Sequence, residues 1–73
     1  MKILFWLNGS GGQRTERKVV NFPMISDESR IEFYRPEIEN ELEDWKYEID
    51  CNSEYVRWGW TERFNEDTLE PIE

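Results

Sequence analysis

The sequence predicts an α+β fold: a small two-layer sandwich in β-β-α-β order, with a three-stranded sheet in order 2-1-3 covered by one helix and a disordered acidic C-terminal tail. Three observations carry this. An apolar run opens the chain (Lys2 to Asn8), a helical stripe of apolar residues recurs between Pro36 and Asp50, and a Trp-rich alternating segment follows it. Apolar spacing of this kind is the main local signal of secondary structure.

Lys2-Ile-Leu-Phe-Trp-Leu-Asn8 is too short for a helix of ordinary length and is rich in aromatics, so it reads as a strand. Ile3, Phe5 and Leu7 fall on one face and Leu4 and Trp6 on the other. Apolar residues on both faces mark the central strand. Gly9-Ser-Gly-Gly12 then turns the chain into a more polar strand, Thr15 to Phe22. Arg14, Arg17 and Lys18 suit an exposed edge that resists aggregation, and Pro23 ends it. Residues 24–35 are ambiguous. Ser26-Asp27-Glu28-Ser29 resembles a helix start or a turn, and Ile31, Phe33 and Tyr34 suit a short strand or a packed loop.

Pro36 to Asp50 is the clearest helix, with Pro36 at its first position. Glu37, Glu39 and Glu41 complement the positive end of the helix dipole. Ile38, Leu42, Trp45 and Ile49 form one apolar stripe for packing on the sheet, and Cys51-Asn52-Ser53 ends the helix. Tyr55 to Phe64 reads as the third strand, with Val56, Trp58, Trp60 and Phe64 on one face. Gly59, between two Trp, marks a bulge or the close packing of an aromatic across the strand. A crossover from the second strand to the third makes those two parallel, with the first between them and antiparallel to both. With the helix on the Trp58 face, Leu4 and Trp6 lie on an uncovered face, or are covered by residues 24–35. The expected organisation is a single domain over 1–64 and a flexible acidic tail over 65–73.

The chain has 73 residues, of which 37% are hydrophobic, so it sits near the lower size limit for a core that folds unaided. Four Trp, three Tyr and four Phe supply the missing apolar area. A single cysteine points to a reducing compartment rather than a disulfide scaffold. No apolar run approaches the roughly 20 residues of a membrane span, and Met1 to Asn8 lacks the long apolar region and cleavage site of a signal peptide. The net charge of −8 opposes binding to nucleic acid through phosphates and favours basic protein surfaces.

Catalytic signals are weak. The chain has no histidine, which removes the usual general base and zinc ligand. Cys51 therefore lacks a Cys-His partner and reads as a buried or helix-end filler. Gly9-Ser-Gly-Gly12 has no following Lys and precedes a strand, so it reads as a hairpin turn rather than a phosphate loop. The acids from Glu37 to Asp50 surround the helix without the spacing of a calcium loop. We expect no catalytic residues, no metal site and no cofactor. Trp58-Gly59-Trp60 could serve as a stacking platform, but two Trp on one strand face read better as core packed against Trp45 and Phe5. The expected partner-binding residues are Glu37, Glu43, Asp44 and Tyr47 on the outer helix face, with Trp6 and Arg17 on the sheet as a second surface.

Lys2-Ile-Leu-Phe-Trp-Leu-Asn-Gly-Ser-Gly-Gly12, an acidic helix ending near Trp45 and the pair Gly59-Trp60 together resemble a class of tiny acidic bacteriophage proteins. In length and charge the chain is similar to the small RNA polymerase-binding transcription regulators of lytic Xanthomonas phages. The resemblance covers most of residues 1–62. It implies a non-catalytic, monomeric regulator in the host bacterial cytoplasm. Such a protein binds host RNA polymerase at the N-terminal part of the β′ subunit, disturbs σ-factor engagement at initiation and promotes antitermination. It implies no individual interface residue. An acidic DNA mimic that inhibits a nuclease or another nucleic-acid enzyme is the rival reading of the same composition.

Overall fold

The computed structural model describes residues 1–9, 15–49 and 55–72. The Gly-rich link after Gly9, Arg14, Asp50, Cys51 with the helix end around it, and Glu73 lie outside the described residues. The elements in chain order are β1 (Lys2–Gly9), β2 (Thr15–Asn21), a short 3-10 turn (Glu28–Arg30), α1 (Ile31–Ile49), β3 (Tyr55–Thr61), β4 (Phe64–Asn65) and β5 (Glu70–Pro71).

Three strands form an antiparallel sheet in the order β2-β1-β3, and one helix packs on it. β1 is central because both its faces are apolar, and both faces are buried: Ile3, Leu4, Phe5 and Leu7 are almost wholly removed from solvent. The register sets Ile3 opposite Val20 and Leu4 opposite Val19 on one side, and Phe5 opposite Trp60 and Leu7 opposite Trp58 on the other. The register shift lies at Asn8/Gly9, and Gly59 is not bulged.

The core lies between the sheet and α1. Ile3, Phe5 and Leu7 meet Ile38, Leu42 and Trp45, and Phe22, Ile25 and Ile31 close one end. Phe5 is the hub: its ring centroid lies 6.2 Å from that of Phe22 and 6.1 Å from that of Trp45, within the range of favourable aromatic pairs. The chain between β2 and α1, ambiguous in sequence, is therefore a plug on the helix side. Its backbone is fixed where the Phe22 N–H donates to the Met1 carbonyl at 2.8 Å and the Ile25 N–H to the Phe22 carbonyl at 3.0 Å.

The helix begins at Ile31, not at Pro36. Pro36 lies inside it and cannot donate to the Glu32 carbonyl, at a cost of about 3 kcal/mol in a helix interior. Burial of Ile31, worth about 1.5–3 kcal/mol for such a side chain, offsets much of this, because Ile31 and Tyr34 continue the stripe toward the N-terminus. Ile49, expected on the stripe, is 41% exposed at the far end.

Asp27 caps the 3-10 turn that leads into α1, accepting hydrogen bonds from the Ser29 hydroxyl and from the Ser29 N–H at 2.9 Å. Its carboxyl is held below the ordinary value of 3.8, first by the Ser29 side-chain bond and then by the Ser29 N–H and the Arg30 charge. A carboxyl depressed in the folded state contributes stability that is present above 3.8 and is lost as pH falls through the folded value. The variant Asp27→Asn keeps a capping side chain. It is expected to flatten the acid limb of a plot of melting temperature against pH, and an unchanged limb would refute the assignment.

β3 ends at Thr61, where the hydroxyl accepts the Arg63 N–H at 3.1 Å in a local turn. Phe64 is therefore not on the strand face shared by Trp58 and Trp60. The expected tail over 65–73 is placed instead, through Ile72, as a two-stranded hairpin. Phe64 pairs with Pro71 and Asn65 with Glu70, the Leu69 N–H donates to the Asn65 carbonyl at 2.8 Å, and the Ile72 N–H donates to the Arg63 carbonyl at 2.9 Å. Leu69 takes the positive φ of 56° that closes the turn.

The hairpin lies against the second sheet face. Phe64, Glu66, Asp67 and Leu69 share a depression with Lys2 and Val19, and Lys2 Nζ is 3.7 Å from Glu66 Oε1. Leu4, which points away from α1, is wholly buried on this face. This face, expected to be uncovered or covered by residues 24–35, is partly covered by the C-terminal segment, and Trp6 and Val19 on it keep some exposure. No helix among the described residues is long and apolar enough to cross a membrane.

Candidate functional site

The apolar stripe of α1 packs on Ile3, Phe5 and Leu7 of β1, so its flanks decide what happens to the edge strands. At about 100° per residue, Glu39, Glu43 and Lys46 fall on the flank toward β3. Charged side chains cover an indole only with their stems and keep their heads in water. Trp58, in register with Leu7 and on the helix side of the sheet, is therefore left 47% exposed instead of joining the core. Trp60, one pair further along and opposite Phe5, is half-buried and packs against the core.

The outcome is a shallow groove between α1 and β3. Glu39, Leu42 and Glu43 line it on the helix, and Trp58, Gly59 and Trp60 on the strand. It continues into a second hollow formed by Glu43, Lys46, Tyr47 and Trp58. The Lys46 Nζ sits 4.5 Å from the Trp58 ring centroid and 6.0 Å from that of Tyr47, and the Arg35 guanidinium carbon sits 5.5 Å from the Trp60 ring centroid. Both indoles thus already hold cations against their faces at the range where the ring quadrupole attracts them.

The expected site residues divide. Glu43 and Tyr47 meet at the groove, with Tyr47 77% exposed. Glu37 and Asp44 are exposed but lie on the other flank, where Glu37, Glu41, Asp44 and Glu48 recur at spacings of four, three and four. Trp6 and Arg17 pair across β1 and β2 on the second sheet face, away from the groove. There Arg17 Nη1 donates to Asn8 Oδ1 at 3.1 Å, to the Glu16 carbonyl at 3.0 Å and to the Leu7 carbonyl at 3.3 Å. Trp6 and Arg17 border the C-terminal hairpin together with Glu70, Pro71 and Ile72, so this surface is a cleft rather than an open face.

Trp58, Trp60, Glu39 and Lys46 were not among the expected site residues. The signal that pointed to two of them was the Trp58-Gly59-Trp60 pair read as a platform, which alternation alone could not separate from core. No group of three or more His, Cys, Asp or Glu side chains is placed to hold a metal ion among the described residues.

Comparison with known protein families, with curated proteins and with solved structures finds no match for this chain.

Proposed function

We propose that this protein is a non-catalytic regulator that works by binding another protein through the groove between α1 and β3, and that its partner is bacterial RNA polymerase in the host cytoplasm. The observation that supports a binding surface here is Trp58, held nearly half exposed between Glu43, Lys46 and Tyr47. Exposed aromatics in a polar rim are the usual anchors of protein interfaces. The partner follows from the phage-protein resemblance of residues 1–62, which points to the β′ N-terminal region, interference with σ-factor engagement and antitermination.

The test is affinity for purified polymerase, with and without σ factor. Tyr47→Ala and Glu43→Lys are expected to stay folded and to bind more weakly, and wild-type binding is expected to weaken as salt rises. A wild-type protein that binds no polymerase, or two variants that bind like wild type, would overturn the proposal.

The DNA-mimic reading draws on a different observation, the acidic stripe of Glu37, Glu41, Asp44 and Glu48 on the opposite flank. Charge reversal at Glu41 and Glu48 would abolish binding to the target under that reading and leave the groove's partner bound under the first.

A further inference from the structure

We propose that the free edge of β3 takes an extended, arginine- or lysine-bearing segment of the partner protein as a fourth strand of the sheet. This rests on the reading of the groove as a protein-binding surface and names how the partner is held. Both β2 and β3 are edge strands, and their edges differ. β2 carries Glu16, Arg17 and Lys18 in succession, the charged pattern that blunts an edge against pairing. β3 runs for seven residues, Tyr-Val-Arg-Trp-Gly-Trp-Thr, with no Lys or Pro and one charge. No other described strand pairs with its outer side. Beyond the register shift at its first residues, this sparsely charged edge offers a row of main-chain donors and acceptors, which is the basis of strand addition.

The groove specifies the chemistry of the added strand. Alternate side chains of a fourth strand would project on the helix side, beside Trp58 and Trp60 and facing Glu39 and Glu43. A cation there meets the Glu39 and Glu43 carboxylates beside two indoles, each of which already has one face taken by Lys46 or Arg35. Lys46 over Trp58 and Arg35 over Trp60 show within the molecule that these rings accept such groups. The net charge of −8 favours the same sign of partner. An acidic strand would instead face Glu39 and Glu43 with like charge. A second copy of this chain would bring the same acidic helix flank to the same edge.

The probe is a capped seven-residue peptide of alternating arginine and valine, matched to the length of β3, titrated against the whole protein and followed by tryptophan fluorescence and amide exchange. Saturable binding is expected, with new protection on β3 amides that point outward. Trp58→Ala should weaken binding by about thirty-fold, the loss expected of an interface anchor, while its far-ultraviolet circular dichroism stays that of wild type. Glu43→Gln provides a second, milder variant and should weaken binding without disturbing the fold. Methylating the peptide's backbone nitrogens on one edge should abolish binding. The inference is overturned if the peptide does not bind, if the methylated peptide or one alternating glutamate and valine binds equally well, or if sedimentation shows β3-dependent dimers. Its failure is separable from that of the proposed partner. Polymerase binding without peptide binding removes strand addition alone, and peptide binding without polymerase binding removes the polymerase alone.

Discussion

Truncating Trp45 to alanine is expected to remove about 3–5 kcal/mol of folding stability, the cost of deleting a large core aromatic. Trp45 is only 9% exposed, lies on the α1 stripe and packs at a tilt against Phe5, which itself contacts Phe22. The lost ring therefore leaves a cavity at the hub rather than at a margin that could collapse. A domain this small has a total stability of about 5–15 kcal/mol at most, so the variant should melt far below wild type or fail to fold cooperatively. Trp58→Ala is the matched control, since it removes the same side chain from a half-exposed site. Thermal melts of both variants check the pair. If Trp58→Ala were the more damaging, the assignment of core and groove would be reversed.

Adding one methyl group at Gly59 is expected to destabilise the sheet by about 1–3 kcal/mol, the usual cost of overpacking. A Cβ there would lie 2.8 Å from Trp6 Cζ2 and 3.1 Å from Cε2, because the Trp6 indole lies across Gly59 from the neighbouring strand. Replacing glycine in a strand normally gains about 0.5–1 kcal/mol through lower unfolded-state entropy, so the clash outweighs that gain. Gly59→Ala should lower the melting temperature and shift the Trp6 environment toward water. In a Trp6→Ala background the same substitution should become neutral or favourable. A double-mutant cycle with no coupling between the two positions would refute the contact.

Much of the fold was legible because it depends on patterns that secondary structure imposes directly. The two-faced apolar run from Ile3 to Leu7 can only be satisfied in the middle of a sheet, and that placement fixes the order β2-β1-β3. The spacing of Ile38, Leu42 and Trp45 sets one face of α1 toward the sheet, and Gly59 between two Trp signalled the close approach of an aromatic. The N-terminal extension of α1 was hidden by Pro36, whose local rule favours the first turn, whereas burial of Ile31 and the Asp27 cap act from further away.

The candidate site belonged to the other class. Sequence alternation places Trp58 and Trp60 on one strand face alike, but it does not say what lies over that face. The apolar stripe of the covering helix packs on β1, its charged flank of Glu39, Glu43 and Lys46 lines the groove beside Trp58 and Trp60, and only Trp60 also packs against the core. The C-terminal segment followed the same logic in reverse. Its acids marked it as too polar to pack, yet two-residue strands need few apolar groups, and Phe64 and Leu69 are enough to bring it against the sheet face that holds Leu4. Local sequence thus determined the three long strands, the body of α1, the sheet order and the two faces of β1. Tertiary structure alone decided which of those faces are covered, because coverage depends on the relative placement of elements distant in the chain.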